Sequence, residues 1–238
     1  MTRPGLLLSA LLVWIFASAP ALAISTVVID AGHGGHDRGG VPGQRYAEKI
    51  YALDVAKRLN SRLRSAGYRT VMTRSGDYFL SLDQRCAIAN RQLSAIFISI
   101  HFNHANNTDS SGIETFFASE KLEQEPEWAW TGFFNPARAT GRDSGETLAG
   151  FIQTALVQQT VATNRGIRGR PLYVARHTRD PAVLVECGFI NNPMEARMIA
   201  NSGYRDLLAR SIALGVARYQ KSRPQAPKTP PELVQSAE

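Results

Sequence analysis

Two histidines and two glutamates stand where the character of the chain changes abruptly, and these residues could do chemistry. His33 follows the apolar run Val27-Val-Ile-Asp-Ala and is flanked by Gly32 and Gly34-Gly35. His101 ends a second apolar run, Ala95-Ile-Phe-Ile-Ser-Ile, and Glu186 ends a third, Ala182-Val-Leu-Val. Glu48, with Lys49, opens the first long helical pattern. Two imidazoles and a carboxylate suit a catalytic zinc, because they hold the ion and leave one position for water. Each residue also has an ordinary reading. Glu48 is an acid favoured by a helix N-terminus, and His33 and His101 are hydrogen-bonded loop histidines. Spacing alone does not choose between these readings.

The elements that must position these residues follow from periodicity. Apolar residues at Ile50, Leu53, Ala56, Leu59 and Leu63 have helical spacing, and Gly67 ends a helix over 46–66. Tyr68–Thr73 reads as a strand, Leu82–Leu93 as a helix, and Ala95–Ile100 and Gly112–Phe117 as strands. Ser144–Val161 resumes a helix, Leu172–Arg176 and Val183–Glu186 read as strands, and 192–195 and Tyr204–Tyr219 close the domain as helices. This alternation predicts one α/β domain over 24–220, a twisted mostly parallel or mixed sheet of about six strands with helices on both faces. Ligands gather at the carboxyl ends of strands in such sheets, so His33, His101 and Glu186 can converge although far apart in sequence.

Composition bounds the rest. Met1-Thr-Arg-Pro-Gly, the apolar stretch 6–18 and Ala21-Leu-Ala23 form a secretory signal peptide over 1–23. The apolar stretch is short for a membrane span, so an exported protein is expected, periplasmic or extracellular, with no stable membrane insertion once the signal is removed. The formal net charge of +7 suits an anionic envelope polymer, nucleic acid or anionic lipid equally. Two cysteines, Cys86 and Cys187, permit a disulfide without requiring one and read as small core residues. Residues 119–143, with Trp128, Trp130 and Pro126, read as an irregular insertion, and 221–238 as a Pro-rich disordered tail.

From Val27 to Tyr219 the chain resembles the zinc-dependent N-acetylmuramoyl-L-alanine amidases of the type 3 family. The resemblance rests on ordered blocks. They are Ile29-Asp-Ala-Gly-His-Gly-Gly-His-Asp37, Glu48-Lys49, Thr73-Arg74, Leu82-Asp-Gln-Arg85, Phe97-Ile-Ser-Ile-His-Phe-Asn103, Gly112-Ile-Glu114, Arg165-Gly166 and Leu184-Val-Glu-Cys-Gly-Phe-Ile-Asn-Asn-Pro193. It implies that His33, Glu48 and His101 ligate one Zn2+ and that Glu186 is the catalytic acid/base. The bond cut would join the lactyl group of N-acetylmuramic acid to L-alanine in peptidoglycan. His36 and His104 are expected to stay off the metal. Asp30 or Asn103 could orient the metal shell, Glu114 reads more simply as a strand-edge acid, and Arg176 and His177 either meet substrate or lie on the surface.

In some division-associated relatives an inserted helix blocks the zinc until a protein activator removes it. Residues 119–143 stand at a comparable place, with Glu120, Glu123, Glu125 or Glu127 able to cap the metal, although Pro126 and the short length argue against a helix. A zinc peptidase acting within the stem peptide is the enzymatic alternative, but its His-x-x-Glu spacing is absent. An inactive peptidoglycan-binding domain would be expected to lack one of the four residues. No nucleic-acid module is recognisable.

Overall fold

The computed structural model describes residues 24, 26–40, 47–119 and 142–223. The expected signal peptide, almost all of the 119–143 insertion and nearly all of the expected tail lie outside them. The order along the chain is β1 (Thr26–Ala31), α1 (Glu48–Ser65), β2 (Arg69–Met72), α2 (Leu82–Asn90), β3 (Ala95–Asn103), β4 (Ile113–Ala118), α3 (Arg142–Thr160), β5 (Asn164–Arg170), α4 (Tyr173–His177), β6 (Ala182–Phe189), α5 (Pro193–Ala200) and α6 (Ser202–Ser222). The six strands form one sheet in the order β2-β1-β3-β6-β4-β5. Every pairing is parallel except β4 with β6. The sheet is mixed, as the sequence led us to expect.

The central strands β1, β3 and β6 are apolar almost throughout, as strands covered on both faces must be. Alternate residues feed two cores. Val27, Ile29, Ile96, Ile98, Ile100, Val183 and Val185 pack with α1, α3 and α6 on one face. Val28, Phe97 and Ala182 pack with Cys86 and Ala89 of α2 and with Val174 and Ala175 of α4 on the other. Cys187 belongs to the first core and Cys86 to the second, and both are free thiols. Burial pushes the Cys86 thiol up to about 11, so both residues act as small core fillers.

Two expected elements differ. Leu172–Arg176, read as a strand, is the N-cap and body of the short helix α4, whose Val174 and Ala175 face the second core. The sixth strand is instead β5, Asn164-Arg-Gly-Ile-Arg-Gly-Arg170, which sequence reading passed over. It is an edge strand exposed along most of its length, so it has no apolar alternation to betray it. Ile50, counted on the apolar stripe of α1, faces solvent; the buried face is Tyr51, Ala52, Val55, Ala56, Leu59 and Leu63.

Candidate active site

The loop after β1 is held by two buried arginines. Arg74, fully buried, donates through Nε to the Ala31 carbonyl and through Nη2 to the carbonyls of Gly32 and Lys49. Arg85 donates through Nη1 to the Ala31 carbonyl and through Nη2 to the His33 carbonyl, each at 2.7 Å. Arg85 Nη1 also pairs with the buried Asp30 carboxylate, which accepts further hydrogen bonds from Thr73 and Ser99. Asp30 therefore orients the loop rather than a histidine. A buried ion pair with its remaining lone pairs satisfied in this way fixes geometry, since breaking it would strand a charge.

On this clamped loop His33 has φ 60, a left-handed conformation that costs a non-glycine residue roughly 1–3 kcal/mol. Glycine is required at two neighbours for reasons of space. A Cβ at Gly32 would overlap the His101 ring, and one at Gly39, where φ is +65, would meet Glu48 Oε2 at 2.5 Å and His33 Cδ2 at 2.6 Å.

The three expected ligands come together at the carboxyl ends of β1 and β3. Glu48, the buried first residue of α1, places Oε2 3.0 Å from His33 Nε2 and Oε1 3.0 Å from His101 Nδ1. The ligand atoms of His33, Glu48 and His101 all lie within 4.8 Å of one another, and no other such group of His, Cys, Asp or Glu occurs among the described residues. Glu48 Oε1 also accepts from the Phe102 backbone N–H at 3.0 Å. Burial raises the Glu48 carboxyl, but hydrogen bonds and charge from His101 and His33 outweigh it and bring the group down to about 2. Burial lowers His33, yet Glu48 and Asp37 together hold it above its ordinary value.

Asp37 is the partner sequence reading missed. Its Oδ2 lies 2.8 Å from His33 Nδ1, which fixes the ring and leaves Nε2 for the shared point. The signal was available as a carboxylate four residues beyond the histidine, inside the same glycine loop, closed by reciprocal backbone bonds between Gly34 and Asp37. Asp37→Asn is expected to weaken metal affinity by roughly 10–100-fold, measured by chelator competition; unchanged affinity would remove Asp37 from this role.

Glu186 lies on β6 directly across from His101 on β3, and across from Glu114 on β4. Its Oε2 is buried and has no hydrogen-bond partner among the described residues. Burial first, then the negative charges of Glu48 and Glu114, push its carboxyl well above the usual range. Glu114 corrects the strand-edge reading: it is buried in an interior strand, accepting from Asn103 Nδ2 at 2.8 Å, with Arg165 and Arg168 facing it. His36 packs against Phe79 with ring centroids 4.3 Å apart, away from the ligand group, and His104 is likewise outside it. Arg176 and His177 sit on α4, where the His177 ring stacks on Tyr173.

Paired imidazoles and buried carboxylates gathered at one end of an α/β sheet form a site able to hold a metal ion. Residues 27–218 match the N-acetylmuramoyl-L-alanine amidase family, Amidase_3, and the chain belongs to that family. It is similar to the N-acetylmuramoyl-L-alanine amidase LytC of Bacillus subtilis, 31% identical over 196 residues, which span 82% of this chain and 36% of LytC. The N-acetylmuramoyl-L-alanine amidase of Clostridium difficile 630 superposes with a TM-score of 0.72 at 32% identity, covering 84% of this chain and 99% of that one. The CwlD amidase of Clostridioides difficile, solved in complex with the GerS lipoprotein, gives a TM-score of 0.71 at 25% identity over 83% of this chain and 98% of CwlD. The chain is an N-acetylmuramoyl-L-alanine amidase, a hydrolase of the cell wall.

Proposed function

We propose that this chain cuts the amide between the lactyl group of N-acetylmuramic acid and L-alanine with one zinc ion, held by His33, Glu48 and His101, and with Glu186 as acid and base. The observation that carries the reading is the Glu48 carboxylate, 3.0 Å from a ring nitrogen of each histidine in a buried setting. Two neutral imidazoles and one carboxylate are the donor set zinc accepts with a position left open, and the depressed Glu48 and the Asp37-oriented His33 suit that use. When bound, zinc supplies Lewis acidity, acidifying water and polarising the amide carbonyl.

The chain's own residues do the rest. Glu186, one strand from His101, takes the proton of the attacking water and returns it to the L-alanine nitrogen as the C–N bond breaks. Its raised affinity for a proton suits a group that must both accept and donate one. Arg74 and Arg85 hold the loop that carries His33, so the ring is in place before substrate arrives.

Peptidoglycan is the partner, and the chain acts outside the cytoplasmic membrane, in the periplasm or beyond. The 1–23 leader supports this reading, and no described helix is long and apolar enough to cross a membrane. CwlD, solved in complex with a lipoprotein, supports a protein partner for this chain.

Chelation with a pH series tests the proposal. In chelator-stripped protein the depressed Glu48 contributes stability that is present above its unfolded value of 4.5 and lost as pH falls toward about 2. The raised His33 contributes stability that is present below its unfolded value of 6.5 and lost as pH rises through its folded value. Zinc must displace the His33 proton, so affinity rises with pH over the same window. The gap in Tm between zinc-loaded and stripped protein is therefore expected to widen from pH 6 to pH 8, with activity lost on stripping and restored by zinc. A gap independent of pH would contradict the assignment of His33.

A further inference from the structure

His101, Glu186, Glu114 and the arginines of β5 form a row across four adjacent strands, β3, β6, β4 and β5, and the outer end of that row has no part in bond cleavage. There, one buried carboxylate faces two guanidiniums. Arg165 Nε lies 3.5 Å from Glu114 Oε1, and Arg168 Nε lies 3.4 Å from Glu114 Oε2. Neither approach is a hydrogen bond: Glu114 Oε2 and Arg165 Nε are buried without a hydrogen-bond partner among the described residues.

The donors are far from spent. Each guanidinium carries five N–H groups. Arg165 uses one, Nη1, in a long 3.4 Å bond to the Ser111 carbonyl, and its plane lies over the Phe189 ring at 4.9 Å. The Arg168 side chain makes no hydrogen bond among the described residues and is 45% exposed. Glu114 is 3% exposed and held by Asn103 from the other side. The carboxylate thus anchors the two arginines, cancels one positive charge of two, and leaves a cationic fork of unused N–H groups beside the catalytic strand. A planar fork of this kind matches a carboxylate.

We propose that Arg165 and Arg168, set by Glu114, form a clamp for a carboxylate of the stem peptide. The inference rests on the amidase reading for its substrate. Strands are about 4.8 Å apart, so β3 to β5 spans roughly 14 Å. An extended peptide advances about 3.4 Å per residue, which places the recognised carboxylate within about four residues of the cleaved bond. The clamp makes the enzyme prefer acidic stems to amidated ones, and binding through it weakens with salt.

The test is equilibrium binding of a synthetic tripeptide beginning with L-alanine, as the free acid and as the fully amidated form, to the zinc-loaded protein, with peptidoglycan cleavage followed in parallel. The free acid is expected to bind about tenfold more tightly than the amide. Arg168→Ala, at an exposed site, should abolish that preference, Arg168→Lys should restore part of it, and Arg165→Ala should do the same as Arg168→Ala. Equal affinity of the wild-type protein for acid and amide, or a preference that survives both alanine variants, would overturn the clamp. An acid preference lost in the variants, with no cleavage of peptidoglycan by the zinc-loaded protein, would sustain the clamp and count against the proposed zinc mechanism alone.

Discussion

Glu186→Gln is expected to lower turnover by roughly 10²–10⁴-fold while leaving zinc content and fold unchanged. Glutamine has nearly the same shape, and its amide neither accepts nor returns a proton at neutral pH. The site should tolerate it, because Glu186 Oε2 has no hydrogen-bond partner among the described residues to lose, and the side chain lies near the carboxylates of Glu114 on the neighbouring strand and Glu48 on α1. Removing a charge that burial, Glu48 and Glu114 all oppose should leave stability equal or slightly higher. The pattern to look for is therefore a collapse in kcat with Tm held or raised. Near-normal turnover would remove Glu186 from the mechanism, and a fall in Tm with loss of zinc would make it structural.

His101→Ala should abolish zinc binding and, with it, activity. The ring is packed against Gly32, and its Nδ1 supports one oxygen of Glu48, whose other oxygen faces His33. Without it, Glu48 keeps a buried charge with one imidazole and the backbone N–H groups of Phe102 and Gly40. Its carboxyl should then rise from about 2, and two ligands remain where three stood. Metal analysis after dialysis would read this directly. Full zinc occupancy in the variant would show that the ligand set is wrong.

Much of this was legible because the site sits on the most readable part of an α/β chain. Buried parallel strands are continuous apolar runs, so β1, β3 and β6 were recognisable and the chemistry stands near their carboxyl ends, although β3 and β6 run on past the expected ends to Asn103 and Phe189, where polar residues and a glycine break the apolar run. Edge strand β5 was not legible, since three arginines and two glycines in seven residues carry no hydrophobic period. For the same reason Arg165 and Arg168 had no visible relation to Glu114, and the pairing that buries Glu114 needs β5 beside β4. Helix α4 misled because Leu-Tyr-Val-Ala is equally apolar as strand or helix, and a short segment is decided by the core it meets. Arg74 and Arg85 stood in recognisable blocks, yet nothing in their spacing says that a charged side chain can be buried on carbonyl groups of a distant loop.

The most direct test is mass spectrometry of purified peptidoglycan digested by the mature protein, by chelator-stripped protein and by stripped protein resupplied with zinc. The account predicts free stem peptides beginning at L-alanine and glycan without peptides, absent after chelation and regained with zinc. Shortened peptides still attached to muramic acid, or the same amide products undiminished by chelation, would contradict it.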